Sequence, residues 1–407
     1  MAERKPEERQ DADPGEGVHN QLSGQVRGPV VQARVISGGV HIHTLGDDSG
    51  DGPRRLRVFD HPRKRGLLLR RWVRRVAHAA GTGVVATESD DWTYRLWEAG
   101  SGLHLHSFRR GGPSEGMAFS PDGELFARAS VTGKGVDVHD VRTGVEVAHA
   151  FQSWQVMAVG FDPRGELLAT VGFDGAIRVW DADGGRQRYT LERAWGDNSH
   201  RAVVFSPDGR FLAGVGYRRR RMPADAAEAG GTAATELRDR GDVTLYDAAT
   251  GEAAYTATMD GWFPRIAFSP DGCWLATVSD EGVQLRTPAT GEVAHRFRAD
   301  RNTRIAFCGG AVLAVGLVNR VELWSTASGA LLHALHRDGL YPEMAADPAG
   351  TVLATVEHGS QICLWDLAQG QLRARIDFGT QVFAPVLTPD GGLLVGTARN
   401  QAELWRI

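Results

Sequence analysis

The sequence contains no uninterrupted apolar run of about 18 residues, the length a membrane-spanning helix requires. Cysteine is scarce: Cys273, Cys308 and Cys363 are the whole set, and none belongs to a Cys-x-x-Cys pair. An odd count, spaced about one repeat apart, fits reduced thiols in strands better than a disulfide framework, and speaks against structural zinc. Lysine is nearly missing, occurring at Lys5, Lys64 and Lys134 alone. Arginine carries the positive charge instead, which, with abundant Ala and Gly, marks a GC-rich genome. A net charge of −4 gives no reason to expect a polyanion-binding protein. Met1 to Gly17 is mixed in charge and lacks the apolar core of a secretory leader, so a cytoplasmic protein is expected.

Catalytic signatures are missing too. No P-loop, dinucleotide fingerprint, nucleophile elbow or His-Glu-x-x-His occurs. His41 with His43, and His104 with His106, are spaced to share one strand face, but no third ligand lies near them in sequence. Carboxylates concentrate in turns, where Asp serves backbone geometry. No enzyme, metal site or cofactor is expected.

What is present is a repeat. A Pro-x-Gly turn recurs at Pro121, Pro163, Pro207, Pro270, Pro348 and Pro389, mostly at intervals of roughly 40–45 residues, the period of a propeller blade. One stretched interval implies an insertion after Pro207, the other a degenerate turn at Gly309-Gly310. A short apolar strand precedes each turn, as in Gly116 to Ser120, and another follows, as in Leu167 to Val171. A tight turn such as Asp174-Gly175 then leads to an alternating strand, Ala176 to Trp180. Period-two alternation between turn residues describes an antiparallel meander. Trp97, Trp180, Trp324, Trp365 and Trp405 end third strands, with His139, Tyr246 and Arg286 at matching places. A small residue and Gly then reverse the chain again, as at Thr143-Gly144 and Thr250-Gly251.

Phe205-Ser206-Pro207-Asp208-Gly209 and Val179-Trp180-Asp181 resemble the WD-repeat signature, across about 54–407. The resemblance implies an all-β protein, a β-propeller of four-stranded antiparallel blades. Third strands ending near 97, 139, 180, 246, 286, 324, 365 and 405 favour eight blades, with seven plus a divergent N-terminal piece as the alternative. The Gly-His pair usual before a blade's first strand in that family is absent, so its buried His-centred hydrogen-bond network is not expected. The chain stops at Ile407, just after a third strand, and Leu56-Arg57-Val58-Phe59 stands ready to supply the missing outer strand. That closure would leave only short, protected edges. The third-strand tryptophans are expected to pack between blades.

Loops leading into first strands and loops joining second to third strands share one propeller face. Trp154, Trp195, Trp262 and Tyr341 fall in the former. The insertion, about 217–241, falls in the latter and opens with Arg218-Arg219-Arg220-Arg221. Aromatics beside arginines are the residue types enriched at interaction hot spots, making these eight the candidate partner site. The plainer alternative is blade-capping aromatics and a solvated insertion. Nucleic acid is disfavoured, because no wider basic stripe accompanies the arginines.

Residues 1–53 read as a mostly disordered tail with a β-prone motif at about 20–44. Leu22 to Val26 matches Ile36 to Val40, so two arms could stack as rungs with Gln32 forming an amide ladder and Val30, Val31 and Ile36 a dry seam. Pro29 and the glycines run against the usual zipper composition. Gly28 to Arg34, with Ile36-Ser37-Gly38-Gly39-Val40-His41, resembles the amyloid signalling motifs of filamentous actinobacteria. Those are similar to the RIP homotypic interaction motif, whose heart would here be Val31-Gln32-Ala33, with Arg34 where Gly is usual. The resemblance implies templated assembly with a protein sharing the motif, in signalling or defence. Three readings therefore stand: a scaffold or sensor whose propeller binds a protein or ligand and whose tail recruits a partner, a plain scaffold with an inert tail, and an enzyme or small-ligand binder using the channel.

Overall fold

A computed structural model describes residues 52–61, 72–109, 116–130, 134–183, 185–191, 198–218, 240–260, 265–299, 303–337, 339 and 343–407. The motif at 20–44 lies outside them. The described residues form 32 strands in eight four-stranded antiparallel sheets, and no helix among them is long and apolar enough to cross a membrane. The molecule is an eight-bladed β-propeller.

Blade 1 is β2 (Val73–Ala79), β3 (Val84–Ser89), β4 (Thr93–Glu98) and β5 (His104–Arg109). Blade 2 is β6 (Met117–Phe119), β7 (Leu125–Ala129), β8 (Val136–Asp140) and β9 (Glu146–Ala150). Blade 3 is β10 (Val156–Phe161), β11 (Leu167–Gly172), β12 (Ile177–Asp181) and β13 (Gln187–Leu191). Blade 4 holds β14 (Asn198–Phe205), β15 (Phe211–Arg218), β16 (Arg240–Asp247) and β17 (Ala253–Asp260). Strands β18 to β21 fill 265–297, β22 to β25 fill 304–336 and β26 to β29 fill 344–377. In all of them the strands pair in chain order. Blade 8 differs: β30 (Val382–Leu387), β31 (Gly392–Thr397) and β32 (Gln401–Arg406) take β1 (Arg54–Asp60) as outer strand. The expected closure is therefore present.

The turns show why the repeat folds locally. At Pro207-Asp208-Gly209 the Ser206 hydroxyl donates to Asp208 Oδ1 at 2.5 Å, and that oxygen accepts the Arg210 amide at 3.0 Å. Gly209 closes the turn onto the Ser206 carbonyl at φ 72°, a left-handed conformation glycine adopts without Cβ strain. Gly309, at φ 60°, supplies the same bend in the degenerate copy.

One irregularity recurs in all eight blades. The register between third and fourth strands shifts at the tryptophan position, for example between Leu96 and Trp97, Val179 and Trp180, and Leu364 and Trp365. Blade 8 repeats it between Arg55 and Arg57, opposite Trp405 and Leu404. A bulge there bends the outer strand and adds twist. The core lies between blades, not within them. Trp180 packs with Ala127, Val136 and Val156 at the blade 2–3 boundary, and Trp97 with Phe59, Leu394 and Ala402 at the closing joint. Trp97, Trp180 and Trp365 are buried as expected, whereas Trp324 and Trp405 are half-buried.

Candidate interaction face

Each blade brings its second-to-third turn and the end of its fourth strand to one end of the sheet. In blade 1, Ser89 pairs with Thr93 and Thr93 with Arg109; in blade 2, Ala129 pairs with Val136 and Val136 with Ala150. The chain crosses to the next first strand from that same end, so these loops share a face.

Of the eight candidate residues, Trp154 stands on this face with 43% of its surface exposed. Arg218 is the last residue of β15, its backbone in register with Arg240. Trp195, Trp262, Tyr341, Arg219, Arg220 and Arg221 lie outside the described residues, as does the self-assembly motif Val30, Val31, Gln32, Ala33, Ile36, Gly38, Gly39 and Val40.

Three aromatics on this face were not anticipated: Trp92 (49% exposed), Phe151 (59%) and Phe173 (53%). Trp92 carries a signal in the sequence that goes unread without a turn assignment. Five residues before the third-strand tryptophan, blade 3 has Gly175, blade 6 Asn319 and blade 8 Asn400, all at positive φ. Blade 1 places Trp92 there, at φ 65°. A left-handed conformation costs a side chain bearing Cβ about 1–2 kcal/mol, and Gly and Asn are the residues that adopt it routinely. Trp92 is thus poorly suited to its turn.

Behind the face, blade 1 overturns one expectation. A His-centred network is present, although no Gly-His pair precedes β2. His61 follows β1, the outer strand of blade 8, and reaches into blade 1. Its Nε2 lies 2.7 Å from the Thr87 hydroxyl, and Trp97 Nε1–H donates to the same oxygen at 2.9 Å. Asp91 sits 3.4 Å from His61 Nδ1 and accepts from Arg95 at 2.8 Å, while Arg95 also meets the imidazole. Burial pushes the Arg95 guanidinium down to about 10. Other blades keep fragments. Trp180 donates to Thr170, which donates to Gln152, and Trp365 donates to Thr355. In blade 6, Val315 occupies the threonine place, and Trp324 Nε1 has no hydrogen-bond partner among the described residues.

Blade 2 carries a second buried polar group. Arg128 Nε donates to His139 Nε2 at 3.2 Å, and its Nη2 lies 3.0 Å from Asp137. The guanidinium also lies over the Phe108 ring of blade 1. Asp137 meets His149 Nδ1 at 2.6 Å. With Glu146 these form a group of possible metal donors, yet Arg128 already supplies the counter-charge to Asp137. Burial, reinforced by Arg128, pushes His139 down to about 4. His139 thus stays neutral in the fold, while an unfolded histidine takes a proton near pH 6.5. Its contribution is complete above about pH 6.5 and is lost as the pH falls toward about 4. Burial lowers His78 and His104 in the same direction. The melting temperature should therefore fall between pH 7 and pH 5, and His139→Gln should make that fall smaller. An unchanged fall in the variant would remove His139 from the account.

Comparison with known proteins agrees with the architecture. Residues 143–181 and 258–285 match the family model "WD domain, G-beta repeat". The chain is 27% identical over 187 residues to the Target of rapamycin complex subunit wat1 of Schizosaccharomyces pombe, covering 44% of this chain and 52% of that one. It is 24% identical over 304 residues to the Nuclear distribution protein PAC1 of Arthroderma benhamiae, covering 70% of this chain and 56% of that one. The chain thus spans about half the length of these curated relatives. Among solved structures, the computationally designed Ika8 protein superposes with a TM-score of 0.64 at 16% identity, over 83% of this chain and 97% of that one. That likeness concerns fold alone. The chain is an eight-bladed β-propeller, and two of its stretches are similar to WD repeats.

Proposed function

We propose that the chain is a non-enzymatic protein-interaction scaffold or sensor, whose propeller binds a protein or ligand and whose tail recruits a partner sharing its motif. The observation that carries the scaffold reading is the loop face, where Trp92, Phe151, Trp154 and Phe173 are 43–59% exposed on a framework of paired strands. Large aromatics in such positions are typical binding anchors. The name of the fission-yeast relative, a complex subunit, supports the same reading. The tail reading rests on the resemblance of residues 28–41 to amyloid signalling motifs.

Purification of the tagged full chain from its own cells should bring down one or a few proteins in stoichiometric amount. Recovery of the chain alone, together with turnover of a small molecule, would replace the scaffold reading with a channel enzyme. For the tail, the full chain should form dye-binding fibres that Gln32→Ala or Val31→Asp abolishes. A chain that stays dispersed, or fibres indifferent to both changes, would leave a plain scaffold with an inert tail.

A further inference from the structure

On the face opposite the loops, neighbouring blades are clasped together near their outer strands at every joint but one. At five joints a ring on one blade's outer strand covers a turn glycine of the next: His106 over Gly144, Tyr189 over Gly251, Tyr255 over Gly291, His295 over Gly329 and His333 over Gly370. The fit is tight, since a Cβ added to any of these glycines would stand 2.5–2.9 Å from the ring. Between blades 2 and 3, Gly185 lies directly on the His149 backbone. Between blades 8 and 1, Arg57 Nε donates to the Gly100 carbonyl at 2.8 Å.

The joint between blades 7 and 8 has none of these devices. On β29 (Gln371–Asp377), the outer strand of blade 7, Ala374 pairs with Leu364 as His333 pairs with Leu323 and Tyr255 with Leu245. A methyl group thus stands where sister blades carry a ring. Blade 8 also has no third-to-fourth turn to receive one, because β32 and its outer strand β1 are not consecutive. Nor does the first-to-second turn close the gap. A Cβ added to Gly165, Gly209 or Gly272 would lie 3.5–3.9 Å from the turn proline of the preceding blade, whereas one on Gly391 would meet nothing within 4 Å. What remains is a cavity of about 270 Å³.

Pro348, Val352, Leu387, Pro389 and Ile407 give the cavity apolar walls. Asp347, the one acidic side chain in its lining, is turned into its own turn: it accepts the Thr351 and Val352 amides at 2.7 Å and the Thr351 hydroxyl at 2.8 Å. The Thr388 hydroxyl donates to Asp390. Arg373 differs, since it is exposed in the lining and makes no hydrogen bond or ion pair among the described residues. An apolar space of about 150 Å³ already holds a benzene ring. This cavity therefore has room for one ring and a small substituent, and is below the range of about 300–1,000 Å³ typical of drug-sized ligands.

We infer that the cavity binds a small aromatic carboxylate, its ring in the place that sister joints fill with His or Tyr and its carboxylate on the Arg373 guanidinium. Arginine suits that contact, because its planar fork matches a carboxylate with charge-assisted hydrogen bonds. The site lies away from the loop face and stands apart from the scaffold reading.

Saturation-transfer NMR and calorimetric titration of the full chain with phenylacetate test this, with phenylacetamide and phenethylamine as controls of similar shape. Phenylacetate should bind and raise the melting temperature as its concentration rises. Both controls should bind roughly tenfold more weakly or worse. Arg373→Gln should weaken phenylacetate by about tenfold, the size of a lost hydrogen bond to a charged group, and leave the melting temperature of the free chain unchanged. Ala374→Tyr supplies the missing ring from the protein itself. It should raise the melting temperature of the free chain and abolish binding, a pairing that damage to the fold does not produce. Absence of transfer to millimolar phenylacetate, controls that bind as well as phenylacetate, or binding untouched by both variants would overturn the inference. An Ala374→Tyr chain that melts lower would overturn it too, by showing that no ring-sized space lies at that joint.

Discussion

A chain beginning at residue 61 should melt far below the full chain, whereas one beginning at residue 47 should melt with it. The reason is the joint at blade 8. β1 pairs with β32 from Arg54 opposite Arg406 to Asp60 opposite Gln401, so the ring is closed by its first and last strands. Removing β1 strips the outer edge of β32 and deletes Phe59, fully buried against Trp97 with ring centroids 5.7 Å apart. It also removes Asp60, which accepts from Gln401, and Arg55, which pairs with buried Glu403. An open propeller would expose both the β32 edge and the blade 8–1 core, the combination that invites aggregation. Phe59→Ala in the full chain separates packing from edge pairing, with an expected loss of about 3–5 kcal/mol. Equal melting of the two shortened chains would refute closure by β1.

The second large effect is expected at Trp97. Trp97→Ala should cost about 3–5 kcal/mol, because the ring is wholly buried at that joint and a cavity would remain. Thr87→Val is the more discriminating change. It keeps the shape but removes the one oxygen that meets both Trp97 Nε1 and His61 Nε2. Each buried group left unpaired costs about 1–3 kcal/mol, so this small substitution should rival loss of a larger side chain. His61→Phe alongside Thr87→Val should recover part of the loss, since the His61–Thr87 bond then loses both its ends and Trp97 Nε1 is the one partner of that oxygen left unpaired. Blade 6 is the natural comparison: it already has Val315 beside Trp324, and Val315→Thr there should stabilise by about 1 kcal/mol through a new hydrogen bond. Urea midpoints of the four variants decide the matter, and a neutral Thr87→Val would mean that the network contributes nothing to stability.

Much of the fold is legible from the residues alone, because its pairing is local. Within a blade each strand meets the next across a short turn, so Pro207-Asp208-Gly209 and Asp174-Gly175 carry their instructions in neighbouring side chains. Third-strand ends at Trp97 and Trp180 can be read for the same reason, and they favour eight blades, whereas the poor first copy leaves seven open and the sheet of β2 to β5 decides it. His61 is different. It belongs in sequence to the outer strand of blade 8, yet it serves blade 1, and no spacing rule links it to Thr87. Trp154 and Trp92 show the same contrast on the face. A lead-in loop advertises the first, while exposure of the second depends on a turn conformation that only the assembled hairpin displays.

Alternation, turn chemistry and a period near that of a blade were sufficient by themselves to specify all-β meanders, to favour eight of them over seven, and to mark the free outer place beside the last third strand. Tertiary structure decided which surfaces became core and which remained open to solvent. It also joined Arg54 to Arg406 and left Trp92 and Trp154 exposed on loops of one face. The division has one physical cause: hairpin pairing acts between residues close along the chain, whereas burial between blades and ring closure depend on contacts across the whole of it.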